Sequence, residues 1–201
     1  MLDVHFVFLG AAFGIYGTFS YVRDTLRGVT QPNRVTWLLW AVAPLLVFSV
    51  QVSEGVGLRS LTAFIIGTGP LFVFIVSFFN SASVWRIGPL DWACGALSLA
   101  GLVVWIVTRH GTLALIVSIV SDFLAGLPTV RKSWLAPETE TVTAYWTAAV
   151  SAGITVLTLD RFTVAEAAFP LFILAMTSIQ TVMIAGRLGP KLAGSTQPTV
   201  P

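Results

Sequence analysis

Charged residues in this chain are few and gathered in short clusters. Between them lie seven stretches with no charge or only one: residues 6–22, 35–53, 60–84, 92–108, 111–130, 141–159 and 167–186. Each is close to the roughly 20 residues with which an α-helix crosses about 30 Å of hydrocarbon. The runs are continuous rather than alternating, which excludes the short two-faced strands of a membrane barrel. The pattern predicts an all-α integral membrane protein with seven transmembrane helices. The first stretch has no basic n-region and no small-residue cleavage site, so it reads as a retained helix.

A second pattern lies on top of the first. The run Pro70-Leu71-Phe72-Val73-Phe74-Ile75-Val76-Ser77 returns as Pro170-Leu171-Phe172-Ile173-Leu174-Ala175-Met176-Thr177, and Asn80 corresponds to Gln180. Both link regions that precede the second helix of a copy run from basic residues through a proline turn, at Arg27 to Arg34 and at Lys132 to Thr139. Thr36, Trp37 and Trp40 are echoed by Thr143, Tyr145 and Trp146. The chain therefore divides into a first three-helix bundle over 1–84, a linker helix over 85–110, a second bundle over 111–190 and a flexible tail over 191–201. Three helices reverse the chain direction, so two parallel copies need one extra crossing between them, giving a 3+1+3 repeat.

Composition agrees, with 56% hydrophobic and 10% charged residues and a mean hydropathy of +0.87. Arg23, Arg27, Arg34, Arg86, Arg131, Lys132, Arg187 and Lys191 fall on one side of the seven-helix arrangement, and only Arg59, Arg109 and Arg161 on the other. Basic residues in short loops stay in the cytoplasm, which places the N-terminus outside and the C-terminus inside, in a cell membrane of the bacterial inner type. The net charge of +2 is topological and implies no nucleic-acid partner.

The segment Gly126-Leu127-Pro128-Thr129-Val130-Arg131-Lys132-Ser133 in the fifth helix, within this repeat plan, resembles the PQ-loop and SWEET superfamily over nearly the whole chain. Thr129 stands where that family's dipeptide has glutamine, and the first copy has Tyr21-Val22-Arg23-Asp24 with no proline. The resemblance implies two parallel three-helix bundles joined by a fourth helix, with Pro128 as a hinge. It also implies transport of a small solute, such as a sugar or nucleoside, by alternating access.

Asp122 is the single acid deep in an apolar stretch, on a stripe with Ser118 and Thr129. A carboxylate there costs a few kcal/mol unless it is protonated, paired or wetted, which marks it for proton coupling or solute contact, with a structural acid hydrogen-bonded to a neighbouring helix as the alternative. The equivalent stripe of the first helix holds Gly14, Thr18, Tyr21 and Thr25, and Thr18 joins Asp122 as a candidate solute contact. Trp37, Trp40, Tyr145 and Trp146 are candidate walls, and the repeat predicts Trp40 and Trp146 facing each other across the bundle axis. Their alternative is an interfacial belt, the role read for Trp85, Trp92, Trp105 and Trp134. Pro44, Pro70 and Pro170 each remove a helical hydrogen bond and mark bends usable as hinges, with the shaping of static packing as the alternative.

His5 and His110 have no acidic or cysteine partner at ligand spacing, so no metal is expected, and Cys94 reads as packing. No nucleophile elbow, zinc helix or P-loop is present, so neither enzymatic activity nor a cofactor is expected. Membrane lipid is the expected environment, and a homo-oligomer is compatible with the repeat plan. The reading is a small-solute carrier, with a nicotinamide-riboside-type vitamin-precursor carrier and a non-transporting receptor or scaffold as alternatives. A polar or aromatic cavity discriminates in favour of a carrier, and a filled core in favour of a scaffold.

Overall fold

A computed structural model describes residues 2–80, 85–108 and 111–195. Arg109 and His110, the end of the predicted third stretch at 81–84 and the last residues of the tail lie outside the described residues. The elements are α-helices α1 (Val7–Leu26), α2 (Arg34–Ser53), α3 (Leu61–Val76), α4 (Pro89–Thr108), α5 (Gly111–Leu135), α6 (Val142–Leu157), α7 (Val164–Gly186) and α8 (Leu188–Ser195), with short 3-10 turns before α1, before α3 and before α6. Among the described residues, four segments are long and apolar enough to cross a membrane: Val4–Leu26, Arg34–Ser53, Gly57–Val76 and Val164–Gly186. α6, at 16 residues, is shorter.

The molecule is turned inside out relative to a water-soluble bundle. Phe8, Phe19, Phe72, Phe79 and Ile179 stand exposed on the outer surface, whereas Ser20, Thr36, Thr62, Thr147, Ser151, Thr155 and Gln180 are buried. Hydrocarbon rewards that inversion, because apolar side chains lose nothing by facing lipid and small hydroxyls find partners inside. Thr62 and Thr155 hydrogen-bond each other between α3 and α6. Gly17 lets α1 approach α6 so closely that a Cβ there would stand 2.0 Å from Thr147 Oγ1.

α1 packs against α3 and α6, α2 against α3 and α5, α7 against α5 and α6, and α4 against α5 and α2. At one end of the bundle the connection after α1 meets the one after α5, where the Gln31 N–H donates to Thr139 O at 3.0 Å. This end also holds Arg34, Lys132 and Arg187, the last paired with Glu138 at 3.7 Å. At the opposite end Leu2 N donates to Leu157 O at 2.9 Å and Arg59 Nε to Thr158 O at 2.8 Å.

Several boundaries differ from the sequence expectation, for local reasons. α3 ends at Val76, well short of residue 84, because Arg34 reaches across from α2 and donates to Ser77 O at 2.7 Å and Ser77 Oγ at 3.0 Å. α5 runs through Pro128 and the basic residues to Leu135 instead of stopping at 130. α7 begins at Val164 rather than 167, since Thr163 Oγ1 caps it by accepting from Glu166 N at 3.3 Å. Residues 191–195, expected as flexible tail, belong to α8: the chain leaves α7 through Arg187 in the left-handed region (φ 49°) and docks Gly189 on the end of α5. A Cβ at Gly189 would fall 1.9 Å from Trp134 O, so only glycine permits this approach.

Candidate functional site

Between the helices lies an incompletely filled, partly open cavity of about 90 Å³, running from the middle of the bundle toward its basic end. Its lining comes from α1 (Gly14, Thr18, Tyr21), α2 (Trp37, Trp40, Pro44), α3, α5 (Asp122), α6 (Tyr145) and α7 (Met176, Gln180). A packed apolar layer of Val47, Val50, Ala63, Leu115, Phe169 and Ile173 closes one side. Tyr21, Trp37, Val73, Tyr145 and Ile184 close the other.

The aromatic wall is built by α2. Trp37 lies 4.4 Å from Tyr21, ring to ring, and edge-on to Trp40 at 5.5 Å. Residues three apart share a helix face, so both indoles turn to the same space. Trp40 Nε1 donates to Asp122 O at 3.1 Å, and one turn earlier Thr36 Oγ1 donates to Ala125 O at 2.8 Å. These bonds stitch α2 to α5 beside the carbonyl of Leu124, whose helical partner is the N–H that Pro128 lacks. Gly126 allows the contact, since a Cβ there would lie 3.0 Å from the Trp40 ring.

Two acids serve this region in opposite ways. Glu140 is fully engaged at the basic end: Tyr21 and Tyr145 both donate to its Oε2, at 2.9 and 2.8 Å, and Lys132 Nζ sits 2.6 Å from its Oε1. Lys132 also donates to Gln31 O. Asp122 is 4% exposed, and its Oδ1 has no hydrogen-bond partner. The Gln180 amide nitrogen, on a side chain 1% exposed, is likewise unpartnered.

Of the residues singled out from sequence, the structure brings Thr18, Trp37, Trp40, Asp122, Tyr145, Pro44 and Pro70 to one cavity. Pro128 and Pro170 lie inside their helices, away from its lining. Ser118 and Thr129 are buried on α5 but do not reach it. Trp146 does not face Trp40. It is 37% exposed on the outside of the bundle, edge-on to Phe13 of α1 at 5.9 Å. Successive helical residues are about 100° apart, so turning Tyr145 inward sends Trp146 outward. Asn80 and Gln180 also part company. Gln180 lines the cavity, whereas Asn80 lies beyond α3 and donates to Leu26 O at 3.1 Å at the end of α1.

The Tyr21–Glu140–Tyr145–Lys132 cluster is not among the sites the sequence pattern singles out. The available signal was a lysine and an acid on either side of the Pro137 turn. The phenol of Tyr21, 119 positions away, carries no sequence signal for that contact. Among the described residues no group of acidic, histidine and cysteine side chains is placed to hold a metal ion. No protein-family model, curated protein or solved structure matches the chain.

Proposed function

We propose that the protein is a carrier that moves a small solute across a membrane by alternating access between a bundle of α1–α3 and a bundle of α5–α7, with α4 as the linking crossing. The observation that carries this reading is the cavity: it is walled by both helix triplets, bounded by packed layers toward each end, and holds an unpartnered carboxylate. A scaffold has no need of such a space, and a filled core is the cheaper arrangement.

The pattern of helix contacts supports the parallel repeat. Exchanging α1 with α5, α2 with α6 and α3 with α7 turns the α1–α6 contact into α5–α2, the α1–α3 contact into α5–α7, and the α2–α3 contact into α6–α7. Each of these partners exists, as expected of two like bundles about an axis along the membrane normal. This arrangement favours a PQ-loop or SWEET-like plan with seven crossings. The concentration of Arg and Lys at one end favours that end as cytoplasmic.

In the proposed cycle the Tyr21–Glu140–Tyr145–Lys132 cluster joins α1, α5 and α6 at the cytoplasmic end when the cavity is shut there. Bends at Pro44 and Pro70, beside the cavity, give α2 and α3 places to flex as the bundles rock. The Asp122 carboxyl, whose Oδ1 has no protein partner, is the group available to exchange a proton with the solute's compartment. Purified protein in liposomes, loaded with a mixture of sugars, nucleosides and amino acids, is expected to exchange one radiolabelled class across the membrane. Failure of every class to exchange, with folded protein verified by a sharp thermal transition, would overturn the reading.

A further inference from the structure

The cavity contains one carboxylate and no basic side chain among the described residues that line it. Its charged neighbour at the basic end, Glu140, is already neutralised by Lys132 and bonded to two phenols. Asp122 has none of these partners, although it is as deeply buried. Leaving a buried carboxylate uncompensated is costly, so the occupant that relieves most of that cost is a cation with N–H donors.

The rest of the lining fits the same occupant. The indoles of Trp37 and Trp40 and the phenol rings of Tyr21 and Tyr145 surround the space, and aromatic faces attract cations. Two donors of the lining, the Gln180 amide nitrogen and the Trp37 indole N–H, also lack partners, so a neutral acceptor on the solute, separate from the group that meets Asp122, matches the site. About 90 Å³ admits a compact molecule and not an oligosaccharide.

We propose that the cavity binds a small organic cation, a solute whose protonated amine pairs with Asp122 and whose second, neutral polar group meets the Gln180 amide. The proposal rests on the carrier reading for the identity of the site, and it adds the charge and the pair of groups that the solute must carry. An anion would be repelled by Asp122. A neutral solute of the same shape would leave the carboxylate without a counter-charge.

The test uses the full-length protein in nanodiscs and matched straight-chain amides of two to four carbons: ω-amino amides such as glycinamide and 4-aminobutanamide, their ω-hydroxy counterparts, and their ω-carboxy counterparts. Binding is read from tryptophan fluorescence, since Trp37 and Trp40 line the space, and from the thermal midpoint. The expected result is at least one amino amide bound about tenfold or more tightly than its hydroxy partner, with no carboxy compound bound. Asp122→Asn is expected to erase that preference, and Gln180→Leu to weaken the amino amide while keeping the preference for the amine. Hydroxy or carboxy amides binding as well as the amino amides would overturn the proposal, as would a preference that survives Asp122→Asn or a panel in which nothing binds. The comparison within wild-type protein stands even where a variant fails to fold. A neutral solute that binds and is exchanged by liposomes would overturn this proposal and leave the carrier intact; an amine that binds in nanodiscs but never crosses would overturn the carrier and leave the cation site.

Discussion

Lys132 Nζ lies 2.6 Å from Glu140 Oε1, and the two side chains are 1% and 0% exposed, so this ion pair has left solvent altogether. Removing one partner of such a pair strands the other charge, which costs about 3–5 kcal/mol, whereas removing both costs far less. Glu140→Gln is therefore expected to lower stability by that order, although its amide oxygen still accepts from a tyrosine. The double variant Lys132→Met with Glu140→Gln is expected to recover more than half of the loss in chemical unfolding followed by fluorescence. Additive losses in the double variant would mean that the two side chains are not coupled.

Asp122 should behave in the opposite sense. With no partner for Oδ1, its replacement by asparagine removes a poorly solvated acid and breaks no bond of the side chain, while Trp40 Nε1 keeps its backbone acceptor at Asp122 O. Stability is expected to be unchanged or higher by about 1 kcal/mol. If this carboxyl couples transport, uptake by the Asn variant should no longer respond to a pH gradient, while solute exchange persists. Unaltered pH dependence of uptake would reduce Asp122 to a structural group.

Trp40 and Trp146 give a paired control. Trp40→Ala removes a cavity wall and the 3.1 Å bond to α5, so solute binding should fall by about tenfold or more, together with stability. Trp146→Ala, on the outer surface against Phe13, should leave binding within about twofold. Equal loss of binding in both variants, measured by titration on the folded fraction, would contradict the placement of these side chains.

Gly17→Ala tests the packing between α1 and α6. The new methyl would meet Thr147 Oγ1 at 2.0 Å and the Ala144 Cα at 3.2 Å, and overpacking of this kind costs about 1–3 kcal/mol. Thr147→Ala in the same chain should return part of the loss, because it removes the closest atom but not the backbone contact. A thermal midpoint for Gly17→Ala equal to wild type would show that the two helices are free to separate.

Long apolar helices, roughly where they begin and end, the prolines that interrupt them and the gathering of basic residues at one end are all legible in the amino-acid order. Those properties are local: a cap such as Thr163, a proline or a run of twenty apolar residues acts through its own few neighbours. That order also marks Asp122, because an acid in an apolar run is visible without knowing what surrounds it. Tertiary structure decided which neighbour each inward side meets. The buried hydroxyls Thr147, Ser151 and Thr155 recur every four residues along α6, but such a row names no partner, and the inward turn of Tyr145 and the outward turn of Trp146 came from packing against α1. The same holds for the two acids. A lysine and an acid flank the Pro137 turn and Tyr145 follows Glu140 by five residues, but nothing near Glu140 in sequence points to Tyr21, 119 positions away, or says that the Asp122 carboxyl oxygen is left without a partner, since only the shared burial of α1, α5 and α6 brings these groups within reach.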